Sequence, residues 1–160
     1  MYQVRRKIDT SLSEKKDNLR IKHNRPDMQT ILIIEDNEGI RDNLVEFFEM
    51  EGYNIISAVN GKSGILLATE FIPDLIICDV LMYEMDGYEV LRQLLGSNIT
   101  VLIPFIFSTS MSEKVDRAGA LNLGADDYII KPFDPEQLLK MARSLILSGS
   151  TRKRRTIIKV

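Results

Sequence analysis

A chain of 160 residues, 44% apolar and 28% charged, has room for one ordinary domain with spare length at its ends, and the balance of a soluble globular protein. Its formal charge of −2 conceals an asymmetry, because residues 1–29 carry +4, residues 30–147 carry −11 and residues 148–160 carry +5. A single cysteine, Cys78, excludes an internal disulfide, no apolar stretch has membrane-spanning length, and Arg5, Arg6 and Lys7 lead into polar sequence rather than a signal peptide, so the cytoplasm is the expected compartment.

Residues 1–29 are polar and weakly periodic, an extension with at most one short helix around Ser13–Lys22. From Thr30 the pattern alternates strand and helix five times. "TILIIED" is a short apolar run, and "NEGIRDNLVEFFEMEGY" then puts Ile40, Leu44, Phe47 and Phe48 at helical spacing with Gly52 as a stop. "YNIISAV" and "GKSGILLATEF" predict the second strand and helix. "DLIICD" is followed by "DGYEVLRQLLG", with Val90, Leu91, Leu94 and Leu95 on one helical face. "VLIPFIFST" predicts the fourth strand and "SEKVDRAGALNLG" a helix stopped near Gly124. "DYIIK" is the fifth strand, and the last helix opens with Asp134 as N-cap and Pro135 in its first turn. Residues 148–160 are expected to form a basic tail or linker. Alternating strands and helices imply an α/β fold, a parallel sheet covered on both faces.

The chemistry gathers where the predicted strands end. Strand one ends in Glu35-Asp36, strand three in Asp79, strand four in Ser108-Thr109-Ser110 and strand five in Lys131. In an open parallel sheet those ends share one edge, where ligands of such folds bind. Like charges at close range disfavour ionisation, so protons or a cation must intervene. Oxygen ligands without His or Cys favour a hard ion, of which Mg²⁺ commonly sits on one or two carboxylates. A metal beside Asp79 suits in-line attack of that carboxylate on a phosphoryl group, with Lys131 and a hydroxyl meeting the phosphoryl oxygens.

"IEDNEGIRDNL", "CDVLMYEMDGYEVL", "IPFIFSTS" and "GADDYIIKPF", in that order, resemble the marker segments of the receiver domain of two-component response regulators across residues 30–147. The resemblance implies a flavodoxin-like (βα)5 doubly wound sheet with strand order 2-1-3-4-5. It also implies Asp79 as phosphoacceptor, Asp36 as a direct Mg²⁺ ligand, Glu35 as a ligand through water and the backbone carbonyl of Leu81 as a further ligand. Lys131 would contact the phosphoryl group, or Asp79 in its absence, and the bond into Pro132 would be cis. Counting from Pro104 and to Lys131 puts Thr109 at the switch hydroxyl, since Ser108 would point to the other face of the strand. Tyr128 matches the aromatic that follows it inward.

The implied partner is a sensor histidine kinase or a phosphotransfer protein. Its output would be a homodimer through the face of the fourth helix, fifth strand and fifth helix, a downstream protein, or an effector domain on a longer chain. That face carries Lys114, Asp116, Arg117, Asp126, Asp127 and Arg143. Nucleic acid would be met only through such an effector, and no membrane is implied. Beyond its own phosphorylation and dephosphorylation no enzyme activity is expected. The competing reading is a receiver-like interaction module that works without phosphorylation.

Tyr83 stands where the family usually has proline, and Ser110 where it often has alanine. Leu81 and Met111, two beyond Asp79 and Thr109, are apolar and cannot orient water, which predicts a long-lived phosphorylated state. His23 has no metal-ligand companions, Cys78 reads as a packed apolar residue, and "RKRR" at 152–155 lacks a helix-turn-helix beside it. No glycine-rich loop follows strand one, which excludes a P-loop, and Glu35-Asp36 there would repel a flavin phosphate.

Overall fold

The computed structural model describes the backbone of residues 28–110 and 117–158, with side chains through 149. The short helix expected around Ser13–Lys22, His23, Met111, Lys114 and Asp116 therefore lie outside the described residues. Among the described residues five strands and five helices alternate: β1 (Thr30–Ile34), α1 (Glu38–Met50), β2 (Asn54–Ala58), α2 (Gly61–Phe71), β3 (Leu75–Asp79), α3 (Gly87–Leu95), β4 (Phe105–Ser110), α4 (Arg117–Asn122), β5 (Asp127–Lys131) and α5 (Pro135–Ile158). The strands are parallel, in the order β2-β1-β3-β4-β5, as the resemblance implied.

Every residue of β1 and β3 is buried, because helices cover both faces of the sheet. Alternate residues feed two separate cores. Leu32, Ile34, Ile76, Cys78, Phe105 and Phe107 pack with Ala68 of α2 and with Val90, Leu91 and Leu94 of α3. Ile31, Ile33, Leu75, Ile77, Ile106 and Ile129 pack with Leu44 and Phe48 of α1 and with Leu138, Leu139, Ala142 and Ile146 of α5. The helix starts follow local chemistry: Asn37, Asn60 and Asp86 each accept a backbone N–H three residues on. Asp134 accepts that of Glu136, two residues on, at the start of α5. α1 closes with Tyr53 N donating to Phe48 O at 3.1 Å, around Gly52.

Two elements differ from expectation. The apolar run 101–104 is not strand: Val101 N donates to Ser97 O and Ile103 N to Thr100 O, so the chain turns until Pro104, and β4 begins at Phe105. Pro104 has no N–H for the ladder but gives its carbonyl to Ile76 N at 2.9 Å. The backbone of residues 148–158, expected as part of a basic tail or linker, continues α5 as helix to Ile158. Gly149 does not end the helix. It is buried, and a Cβ there would lie 2.7 Å from Pro104 Cγ, so the glycine lets α5 cross closely over the start of β4. The Arg and Lys residues that follow propagate helix readily.

Candidate functional site

The C-terminal ends of β1, β3 and β5 bring together the residues singled out in the sequence. Lys131 Nζ donates to Glu35 Oε2 at 2.8 Å and to Asp79 Oδ1 at 3.1 Å. To do so the lysine chain spans from β5 across β4 and β3 to the end of β1. One carboxylate oxygen from each of Glu35, Asp36 and Asp79 lies within 4.8 Å of the others. Glu35 and Asp79 are buried, at 3% and 6% exposure, whereas Asp36 is exposed.

Local structure fixes each group. Glu35 Oε1 accepts the N–H of Asn37 at 3.1 Å, and the Glu35 carbonyl accepts from Arg41 Nη1 at 3.1 Å. The first turn of α1 thus holds the strand end that carries the acids. Behind Asp79, Gly87 opens α3 with its N–H on Val80 O at 2.8 Å. A Cβ at Gly87 would lie 2.4 Å from the carbonyl oxygen of Asp79, so only glycine lets α3 start against the backbone of the central carboxylate. The Lys131–Pro132 bond is cis, as the resemblance implied.

Electrostatics follow from that crowding. Burial, and after it the Glu35 carboxylate, push Asp79 from the ordinary carboxylate range up to about 6, while Lys131 pulls it down. Burial pulls Lys131 down, but the hydrogen bond to Glu35 and the charges of Glu35 and Asp79 outweigh it and hold the ammonium above its ordinary range. Three carboxylates against one ammonium leave an excess of negative charge, and the donors are all oxygen. Such a set fits a hard divalent cation better than a soft one. Burial and the charge of Asp79 push the Cys78 thiol well above its ordinary range, which agrees with its reading as a packed apolar residue.

The remaining expected residues lie on the neighbouring segments. Thr109 is 2% exposed and its hydroxyl donates to Ser110 O at 3.3 Å. Strand alternation puts Thr109 on the same face as Phe107, whose register partner is Tyr128. Tyr128 is half-buried against the α2–α3 core. Glu35, Asp79, Ser108 and Lys131 take the other parity, so Ser108 and Thr109 do point to opposite faces. Leu81 and Tyr83 are exposed beside the site. An apolar cleft of about 530 Å³ adjoins it, between α1 and the start of α5, lined by Ile40, Phe47, Lys131, Pro132 and Phe133 among others.

Sequence reasoning did not foresee the Lys131–Glu35 bond or the Arg41 contact, because both need the distance across three strands or around a helix turn. On the face considered for dimerisation, the charges of the described residues are engaged within the chain. Arg117 pairs with Asp127 at 3.1 Å, Arg143 with Glu51 at 3.1 Å, and Asp126 accepts from Phe105 N at 2.9 Å. Pairing across a two-fold axis would require exchanging those partners. Among the described residues no helix is long and apolar enough to cross a membrane.

The family model of the response regulator receiver domain matches residues 31–143. The chain is similar to the DNA-binding dual master transcriptional regulator RpaA of Synechocystis, 38% identical over 74% of this chain and 49% of that protein. It is similar also to the response regulator SaeR of Staphylococcus aureus, 35% identical over 74% of this chain and 51% of SaeR. The chain spans about half the length of these curated relatives. Among solved structures it resembles the receiver domain of a signal transduction histidine kinase from Syntrophus aciditrophicus, with a TM-score of 0.69 and 37% identity over 75% of this chain and 91% of that one. The chemotaxis protein CheY4 of Vibrio cholerae superposes with a TM-score of 0.69 at 26% identity, covering 74% of this chain and 98% of that one.

Proposed function

The chain belongs to the response regulator receiver family, the phosphorylation-dependent switches of two-component signalling, and we propose that Asp79 is its phosphoacceptor, with residues 30–147 as the receiver unit. The observation that carries this reading is the single ammonium of Lys131 bridging two buried carboxylates at the strand ends. Glu35 holds the lysine in place, so the lysine can follow an arriving phosphate without losing its anchor. Asp79, at about 6, is ionised at neutral pH and less masked by solvent than a surface carboxylate, which suits a nucleophile.

Asp36, Asp79 and the Leu81 carbonyl, with Glu35 through water, would hold Mg²⁺, whose charge would neutralise an incoming phosphoryl group. An oxygen of Asp79 attacks phosphorus in line, and the bond to the donor breaks with its electron pair on the donor's leaving atom. The donor is a phosphohistidine of a sensor kinase or phosphotransfer protein, and the apolar cleft beside Lys131 offers such a protein a surface near the site. Lys131 then meets the phosphoryl oxygens. Thr109 moves toward the added charge, and Tyr128, on the same face, follows into the space it leaves. Phosphate must favour one of two existing arrangements for this to act as a switch. Leu81 offers no polar atom on its side chain to align water, which favours a long-lived phosphorylated state, and the output passes to a partner protein or an effector domain.

The test is intact mass after incubation with acetyl phosphate and Mg²⁺. Wild type is expected to gain one phosphoryl group only with Mg²⁺, and Asp79→Asn none. Tight Mg²⁺ binding without any mass gain from acetyl phosphate or from a phosphorylated phosphotransfer protein would refute the phosphoacceptor role and favour an interaction module.

A further inference from the structure

On the sheet face that carries Glu35, Asp79 and Lys131, one buried polar side-chain atom has no hydrogen-bond partner among the described residues: Ser108 Oγ. Ser108 is 2% exposed, and its Cα is the register partner of Asp79 across the β3–β4 ladder. Neighbouring strands lie about 4.8 Å apart and in-register side chains leave the same face. The Ser108 side chain therefore leaves the sheet on the same face as that of Asp79, one strand away, with no hydrogen bond joining the two. Lys131 starts opposite Ser110 on β5 and crosses β4 on this face to reach Asp79 and Glu35.

Packing does not account for a hydroxyl at this position. The preceding residue on this face of β4, Ile106, is apolar and fully buried, and an apolar side chain at 108 would continue that core with no polar atom left unpaired. Buried hydroxyls almost always have a partner, so this one is matched to another state of the site. In the resting state Lys131 occupies Asp79 Oδ1. Once the lysine turns to a phosphoryl group, the aspartyl group lacks that donor.

We propose that Ser108 is a positioning residue for Asp79. Its hydroxyl donates to the unesterified oxygen of Asp79 when Lys131 is engaged by the phosphoryl group, and so sets the lifetime of the phosphorylated state. The proposal rests on the phosphoacceptor reading above. In dephosphorylation a water oxygen adds to phosphorus, and the bond between phosphorus and the Asp79 oxygen breaks with its electron pair left on the carboxylate. Inorganic phosphate departs, and the proton of the water passes to solvent. Negative charge grows on Asp79 during this step, so a fixed donor on its other oxygen favours the transition state over the acyl phosphate, whose carbonyl oxygen is the weaker acceptor. Removing the hydroxyl therefore slows the loss of phosphate, by about tenfold for one donor to a developing carboxylate.

The experiment phosphorylates wild type, Ser108→Ala, Ser108→Val and Ser108→Thr with acetyl phosphate and Mg²⁺, removes the donor, and follows decay by intact mass. Melting temperature and the acyl carbonyl stretch of ¹³C-aspartate-labelled phosphoprotein are recorded beside it. Slower decay and a higher carbonyl frequency are expected in Ala and Val, with wild-type behaviour in Thr and no loss of melting temperature in Ala. Equal decay in all four, a Thr variant as slow as Ala, or an unmoved carbonyl frequency overturns the proposal. Wild type that never gains a phosphoryl group instead refutes the phosphoacceptor reading, and this proposal with it. Wild type that gains the group normally while the Ser108 variants behave identically refutes this proposal alone.

Discussion

Both edges of the sheet carry aspartates, and they use them in opposite ways. Where the strands begin, Asp74 accepts the N–H of Thr30 at 2.8 Å while its own N–H donates to Thr30 O at 2.8 Å. Asp126 repeats the arrangement with Phe105, at 2.9 Å in both directions. Each of these carboxylates completes a ladder whose first N–H would otherwise be unpaired. Where the strands end, Glu35, Asp36 and Asp79 crowd together against one lysine, and Asp79 is driven up to about 6 by burial and by Glu35. A carboxylate absorbed by the backbone is part of the fold. One that the fold holds in the charged form at a cost is a candidate for chemistry.

Replacing the lysine should break this arrangement most severely. Lys131→Met leaves Glu35 and Asp79 buried without their counter-charge. Removing one partner of a fully buried pair costs roughly 3–5 kcal/mol; here, with the lysine 19% exposed, about 2–4 kcal/mol is expected at neutral pH without divalent cation. Urea melts with and without Mg²⁺ check this, and Mg²⁺ should restore part of the loss, because a ligand of the folded state stabilises it by mass action. No recovery with Mg²⁺ would mean the acids are not arranged for a cation.

At the opposite edge, Asp74→Ala strands the Thr30 N–H, in a residue 8% exposed. A loss of about 1–3 kcal/mol is expected, read as a lower urea midpoint at unchanged slope. Phosphorylation by acetyl phosphate should be untouched. Loss of phosphorylation in a still-folded Asp74→Ala protein would erase the distinction between the two edges.

Substituting Asp79 itself should act in the opposite sense. A carboxyl at about 6 in the folded protein, against an ordinary 3.8, binds its proton more tightly when folded. Its contribution to stability is thus fullest below pH 4 and is lost as pH rises toward 6. Asp79→Asn escapes that loss while leaving Lys131 its bond to Glu35. In the absence of divalent cation the variant should be more stable than wild type at pH 7 by about 1–2 kcal/mol after allowance for solvent screening. The gap should close toward pH 4, as followed by thermal melts across that range. A variant less stable at pH 7 would show that the Lys131–Asp79 bond outweighs burial.

The strand-end half of this contrast was legible from the residues alone, and the gaps have physical causes. β3 and β5 match their expected runs because each is a short apolar segment ending in a charge, a pattern with little competition. Asp79 and Lys131 stood out for the same reason. The segment 101–104 misled because Val101, Leu102 and Ile103 look like strand, and only the turn bonds to Ser97 and Thr100 show otherwise. That the helix runs on past Gly149 was not legible either, because the contact of Gly149 with Pro104 is tertiary. Ser108 and Thr109 could be told apart by strand parity, but that one of them lacks a partner depends on the surrounding atoms and is not written in any spacing.

The smallest effect is expected where the ion-pair chemistry of the site is repeated in open water. On α3, Arg92 and Glu89 pair at 2.6 Å, closer than either bond of Lys131. Hydrogen bonds from Arg92 and then Gln93 hold the Glu89 carboxyl down at about 2. Arg92→Ala should let Glu89 titrate close to its ordinary 4.5, with Gln93 still holding it slightly below, which carboxyl-carbon NMR would follow. The melting temperature should nevertheless change by no more than about 1 °C, because water solvates each exposed partner nearly as well as they solvate one another. A drop comparable to that of Lys131→Met would mean that closeness, rather than burial, sets the strength of these pairs. The distinction between the buried and the exposed pair would then rest on distance alone, and the 3.1 Å bond at Asp79 would mark it as the weaker of the two.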